Sequence, residues 1–245
     1  MLLLLLLCLT RRVMHSFSRG RELRRWATLG AALYHRLVSV LELDHVFCMV
    51  SDPVRAARRL EDDGWVLDSG QEHRGQGTRN RRLAWREQFF ELLWVTDPAE
   101  ARANQLRLDR RADWKTTGAS PIGLAFRGQL DRDHSDDFWL YDALGPRIWV
   151  HCDNERFPQR PLVFALEADE QQMEQRRRRM TTSELVAQRK PGPLCEVHVR
   201  GPAAPSLPRA AGPPIVYLRG SHLLELIVDR ERAARPVADG LVIRG

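Results

Sequence analysis

The sequence predicts an α+β protein built from two βαβββ modules. Two observations carry this. Runs punctuated by Gly, Pro and Asp follow one another in the order strand, helix, three strands, first over 41–97 and again over 160–229. The ends of the two runs also match, FFELLWVTDPAEA against LLELIVDRERA, which puts Glu91 and Glu225 at equivalent places in a duplicated unit.

The first module opens with LDHVFCMV (43–50), whose period-two alternation sets His45, Phe47 and Met49 on one face and Val46, Cys48 and Val50 on the other. SDPVRAARRLEDDG is a short helix, with Ser51 or Asp52 as its cap, Pro53 at the first helical position and Gly64 past its end. WVLDSG, GTRNRRLAW and QFFELLWV supply three strands separated by turn residues. A bridge over 98–159 holds a helix-like DPAEARANQLRLDRRADW, then SPIGLAFRG, then the aromatic stretch FWLYDALGPRIWVHCDN. In the second module RPLVFALEAD is a strand and EADEQQMEQRRRRMTTSELVAQ a helix. LCEVHVRG, PPIVYLRG and SHLLELIVD are its closing strands, the Pro-rich 202–214 is an internal loop, and 230–245 is a tail.

Composition fits a globular chain: 43% hydrophobic and 29% charged residues among 245, mean hydropathy -0.40, and no apolar run near the ~18 residues of a membrane-spanning helix. The net charge of +6 suits a polyanion or, equally, a pocket for a small anionic substrate. No zinc finger, RNA-binding signature or basic zipper accompanies it, so nucleic acid is set aside as a partner. Cys8, Cys48, Cys152 and Cys195 form no CxxC pair and read as reduced, buried thiols of a cytoplasmic protein. The opening MLLLLLLCLTRR carries its arginines after the apolar run, the reverse of a secretory signal. A membrane-associating leader, a helix end and an upstream translation outside the working protein all fit it. Because the domain pattern starts near Leu41, the last is preferred and residues 1–40 are treated as a leader of uncertain status.

Glu91 sits inside an apolar strand, where an unpaired carboxylate costs several kcal/mol. It therefore needs a partner, and so does Glu225: either a shared polar site or structural ion pairs with the many arginines. Gly75 and Gly77 in HRGQGTRN lack the Lys-Ser/Thr of a phosphate loop and mark a hairpin turn instead, leaving Gln76, Thr78 and Asn80 to hydrogen-bond a ligand. His151 and His198 are reserve candidates. Phe138, Trp139 and Tyr141 either close a cavity or pack the bridge, and the RRRR run at 176–179 reads as a solvated helix face.

Two βαβββ units with a histidine on the first strand and a glutamate on each fourth strand resemble the vicinal-oxygen-chelate superfamily, the group of glyoxalase I and the extradiol dioxygenases. LDHVFCMV, GQEHRGQGTRN, FFELLWVTDPAEA, SPIGLAFRG and the stretch at Trp139 and Tyr141 are similar to its glyoxalase-like domain proteins, over about 43–229. The resemblance implies one curved, open-barrel mixed sheet around a divalent metal (Mn, Fe, Ni or Zn) and a small-molecule substrate. It assigns His45, Glu91 and Glu225 as metal ligands, with the fourth ligand position near Val163, which cannot coordinate. Glu91 or Glu225 would be the proton carrier of a lyase or isomerase, and iron would support dioxygenase chemistry. The alternative is a metal-free binding or sequestration protein on the same scaffold. A homodimer is compatible with this reading.

Overall fold

A computed structural model of the chain describes residues 41–85, 87–130, 135–141, 147–182 and 193–245. The leader and the end of the helix-like segment at 183–188 lie outside these residues.

The first module forms as its punctuation dictates. Strand β1 (Leu41–Met49) is buried on both faces. Helix α1 (Pro53–Asp62) starts where the Asp52 carboxylate accepts the Arg55 N–H and Pro53 fills the first turn, and it buries Ala56, Ala57 and Leu60. Three strands follow: the two-residue β2 (Glu72–His73), then β3 (Thr78–Ala84) and β4 (Phe89–Val95). WVLDSG makes no ladder of its own. Asp68 in it turns to accept the Gly70 and Arg82 N–H groups, which ties the segment to β3 as a loop.

The helix-like stretch after β4 breaks into α2 (Pro98–Ala103), α3 (Leu108–Ala112) and α4 (Trp114–Thr117). The break has a local cause. Asn104 spends its amide on the Gly75 carbonyl, the Tyr141 hydroxyl and the Leu106 N–H, and Arg107 takes a left-handed conformation at φ 51°.

Duplication is present, but not where the matching ends of the sequence place it. Strands β5 (Ile122–Gly128), β6 (Phe138–Tyr141), β7 (Ile148–His151) and β8 (Leu162–Glu167) complete one large sheet in the order β2-β3-β4-β1-β5-β8-β7-β6. The pairings of β1 with β4 and of β5 with β8 are both parallel, and β1 meets β5 antiparallel at the centre. The sheet thus has two halves of one design and curls into an open half-barrel. The segment read as a bridge supplies most of the second half. RPLVFAL ends that half instead of beginning a module, because LVFAL and IGLAF are both continuous apolar runs, as parallel strands buried on both faces require.

Past α5 (Asp153–Arg156) and α6 (Glu170–Thr182), the remaining strands build a second sheet. It contains β9 (Glu196–Gly201), β11 (Ile215–Arg219), β12 (Leu223–Ile227), β13 (Ala234–Ala238) and β14 (Leu241–Arg244), in the order β11-β9-β12-β14-β13. The predicted tail therefore forms two of its strands. The short β10 (Ala210–Ala211) leaves the Pro-rich loop to pair with the start of β1. Val197, Val199, Leu224, Leu226 and Ile243 of this second sheet share a core with Val46, Cys48 and Leu92 of the large one, so the two sheets pack through one hydrophobic layer. At the base of the large sheet Arg111 is buried, donating to the carbonyls of Ser120 and Arg160 and to Asn154, and burial lowers its pKa to about 9. No helix among the described residues is long and apolar enough to cross a membrane.

Candidate functional site

The hollow of the curled sheet is a cavity of about 450 Å³ with two unlike walls. The first half of the sheet and its β2–β3 hairpin present His45, His73, Glu91, Gln71, Gln76 and Arg74. The second half presents Ile148, Val150, Leu162, Phe164 and Leu166, and Leu106 and Leu108 close the space between. Arg74 is the only Lys or Arg among the described lining residues and is accompanied at the rim by Glu72, so the cup is not the positively lined pocket the net charge allowed for.

His45 is held from three sides. Its Nδ1 donates to the carboxylate of Asp44 at 2.7 Å, its ring stacks on Phe89 with centroids 4.5 Å apart, and Phe164 meets it edge-on at 5.6 Å. Neighbours in a regular strand point to opposite faces, so the Asp44–His45 contact needs an irregularity. The ladder supplies one: Leu43 pairs with Phe126 and His45 with the next residue, Ala125, leaving Asp44 as the extra residue of a β-bulge. Asp44 is 1% exposed and accepts from Arg127 Nε at 2.6 Å, with Arg176 Nε of α6 at 2.7 Å. Burial alone would raise its pKa, but the hydrogen bond and charge of His45 and those of Arg127 outweigh it and hold the carboxyl well below its usual range. A carboxylate at Nδ1 fixes the proton there, so neutral His45 presents a bare Nε2 to the cup.

Glu91 stands beside it on β4, 8% exposed, with Oε2 at 3.9 Å from His45 Nε2. Its other oxygen accepts from Asn80 Nδ2 at 2.8 Å. The same amide nitrogen lies 3.4 Å from His73 Nε2, and Asn80 Oδ1 accepts the Gln71 N–H at 2.8 Å. His73 Nδ1 meets Thr78 Oγ1 at 3.2 Å. Both ring nitrogens of His73 are thus engaged. Burial lowers its pKa, aided by His45 and Arg82 against the pull of Glu91, so the ring is held neutral.

These contacts sort the residues singled out from sequence. His45, Glu91 and Gln76 line the cup. Thr78 and Asn80 do not: fully buried behind it, they position His73 and Glu91. Glu225 belongs to the second sheet, where Arg244 donates to it at 2.8 Å and His198 lies 3.6 Å away; the ion-pair reading is the one realised. Val163 faces the core layer between the sheets, and its cup-facing neighbours Leu162 and Phe164 are equally unable to coordinate. His151 is buried against Phe138 and caps the Asp153 N–H, while Phe138, Trp139 and Tyr141 pack and do not line the cup. In the arginine run, Arg176 reaches Asp44 and Arg178 pairs with Glu174; the side chains of Arg177 and Arg179 lie outside the described residues. The sequence does not single out Asp44 or His73: a bulge leaves no signal that a strand pattern would detect.

Residues 43–135 match the family model of the glyoxalase-like domain. Over these residues the chain is similar to a glyoxalase-like domain. Among solved structures, a hypothetical protein from Staphylococcus aureus is similar in fold, at 11% identity over 84% of this chain and 98% of that chain, with a TM-score of 0.53. A methylmalonyl-CoA epimerase from Mycobacterium tuberculosis overlaps 55% of this chain and 93% of its own at 20% identity, with a TM-score of 0.38. No curated protein matches the sequence.

Whether the cup suits a resident metal is decided by its donors. His45 Nε2 and Glu91 Oε2 have open lone pairs, but Ala125 pairs with His45 across the centre of the sheet and the far wall is aliphatic and aromatic. Among the described residues no group of three or more His, Cys, Asp or Glu is placed to hold an ion. Catalytic zinc takes three protein ligands and open-site iron a comparable set. Two donors do not fit such a site.

Proposed function

We propose that the cup is the active site of an enzyme that moves protons on a small molecule without a resident metal, as an isomerase of the tautomerising kind or a lyase. The observation that carries this is the buried Asp44 beneath His45. A binding cup gains nothing from a carboxylate sunk in the protein and matched by two arginines, whereas a general base does, because the imidazolium formed when His45 takes a proton is stabilised by Asp44.

His45 Nε2 removes a proton from the substrate, leaving negative charge on an adjacent carbonyl or enol oxygen. His45 then returns the same proton to a neighbouring atom, so no proton is gained or lost overall. His45 and Glu91 are 3.9 Å apart on one wall. They approach a bound molecule from the same side, which suits transfer between neighbouring atoms or a syn elimination and does not suit inversion, where acid and base must stand on opposite faces. The apolar wall holds the rest of the substrate and limits water.

The test is incubation in D2O with a library of small oxo and hydroxy compounds, read by mass spectrometry. Deuterium uptake by one or more compounds, lost in His45→Gln, is the expected result. Compounds that bind in the cup yet take up no label would overturn the reading in favour of a sequestration protein.

A further inference from the structure

The neighbouring groups at the centre of the cup are both hydrogen-bond acceptors. With its Nδ1 proton committed to Asp44, His45 offers a lone pair at Nε2; with Oε1 committed to Asn80, Glu91 offers the lone pairs of Oε2. They face each other at 3.9 Å, too far for a direct bond and close enough for one ligand atom to meet both. No donor within the network is available to them, because Asn80 is used up between Glu91, His73 and Gln71, and His73 is tied to Thr78. Two acceptors in a mostly apolar cavity leave one need unmet.

Resting on the proposed role of this cup, we infer that its ligands are compact apolar molecules carrying a hydrogen-bond-donating head, an O–H or an N–H, and no carboxylate beside it. The head sits between His45 Nε2 and Glu91 Oε2, and the body lies on Phe164, Leu162, Leu166 and Ile148. A cavity of about 450 Å³ stands in the lower half of the range used for small ligands. A carboxylate head is rejected because both facing atoms are electron-rich and one is charged. An ether or ester head is rejected more mildly, since it leaves both acceptors unpaired.

A matched series separates these heads: 4-ethylphenol, 4-ethylbenzylamine, 4-ethylanisole and 4-ethylbenzoate, titrated by calorimetry or ligand-observed NMR. The phenol or the amine is expected to bind about tenfold or more tighter than the methyl ether, with the benzoate weakest, and their relative affinities tell a hydroxyl head from an ammonium head. Glu91→Gln sharpens the test. Asn80 keeps the amide oxygen on its own side, so the amide N–H₂ turns toward His45 and supplies the missing donor; the preference for phenol over methyl ether should shrink or invert. Phe164→Asn should weaken the whole series by a similar factor, and a thermal melt of each variant shows that it is folded. Equal affinity for phenol, amine and ether, a preference for the benzoate, or no binding by any member to folded protein overturns the inference. Failure here is distinct from failure of proton transfer: donor selectivity without deuterium uptake removes only the catalysis, and uptake by ligands lacking a donor head removes only the selectivity.

Discussion

His45 and His198 hold similar stations in the two sheets and have opposite fates. Each lies on a strand with one parallel and one antiparallel neighbour, β1 between β4 and β5, β9 between β11 and β12. His198 has a carboxylate at each ring nitrogen, Glu196 at 2.9 Å and Glu225 at 3.6 Å, and those carboxylates are in turn matched by Arg230 and Arg244. Its bonding capacity is used. His45 has a carboxylate at one nitrogen only, and the other faces a second acceptor across a gap. The comparison teaches that histidine and glutamate in strands mark a site only where some of their capacity is left over.

The contrast can be broken by mutation. The largest effect is expected at Asp44. Asp44→Ala leaves Arg127 and Arg176 without their shared partner, and losing one side of a buried ionic cluster costs about 3–5 kcal/mol, measurable by urea denaturation. Asn80→Ala comes next: it strips a partner from Glu91, His73 and the Gln71 N–H together, for about 1–3 kcal/mol, and should blur ligand selectivity by freeing the Glu91 carboxylate to turn.

A smaller effect is read by pH. His73 has a lowered pKa in the folded state, so the unfolded chain binds the proton first and stability falls as pH drops below 6.5. His73→Gln should flatten that part of the profile. A separate fall below pH 3.8, where unfolded aspartate protonates before Asp44 does, should persist in it. The smallest effect is expected at the other histidine's partner. Glu225→Gln removes one charge of a partly buried ion pair in the second sheet, worth about 1 kcal/mol, and should leave ligand binding in the cup unchanged. An equal loss of binding in Glu225→Gln and Asn80→Ala would erase the distinction between the two sheets.

Much of the first half was legible because its signals are local: alternation in LDHVFCMV, a proline-started helix, and glycine turns between short strands. The second half was not, for two physical reasons. FWLY and IWVH are four-residue strands whose partners are known only once the sheet exists, and the Leu-Leu-Glu-Leu pattern of β12 suits any strand with one face buried. The sequence likeness of Glu225 to Glu91 follows from that shared pattern and not from a shared place in the fold. Of the residues that line the cup, Glu91 stands out in the sequence as a charge in an apolar strand, Gln76 as part of a glycine turn, and His45 through the family resemblance. Asp44 was hidden by the bulge that turns it toward His45, and His73 looked like one more polar residue of a turn.

The clamp on Asp44 has a bearing on what counts as the working unit. The family match ends at 135, yet the apolar wall comes from 148–166 and one of the guanidinium groups on Asp44 from Arg176. A piece cut at the boundary of the match would keep the recognisable signature and lose the chamber. The residues that line the cup and clamp Asp44 run from β1 to Arg176, so the matched span is about two thirds of the span that supplies them.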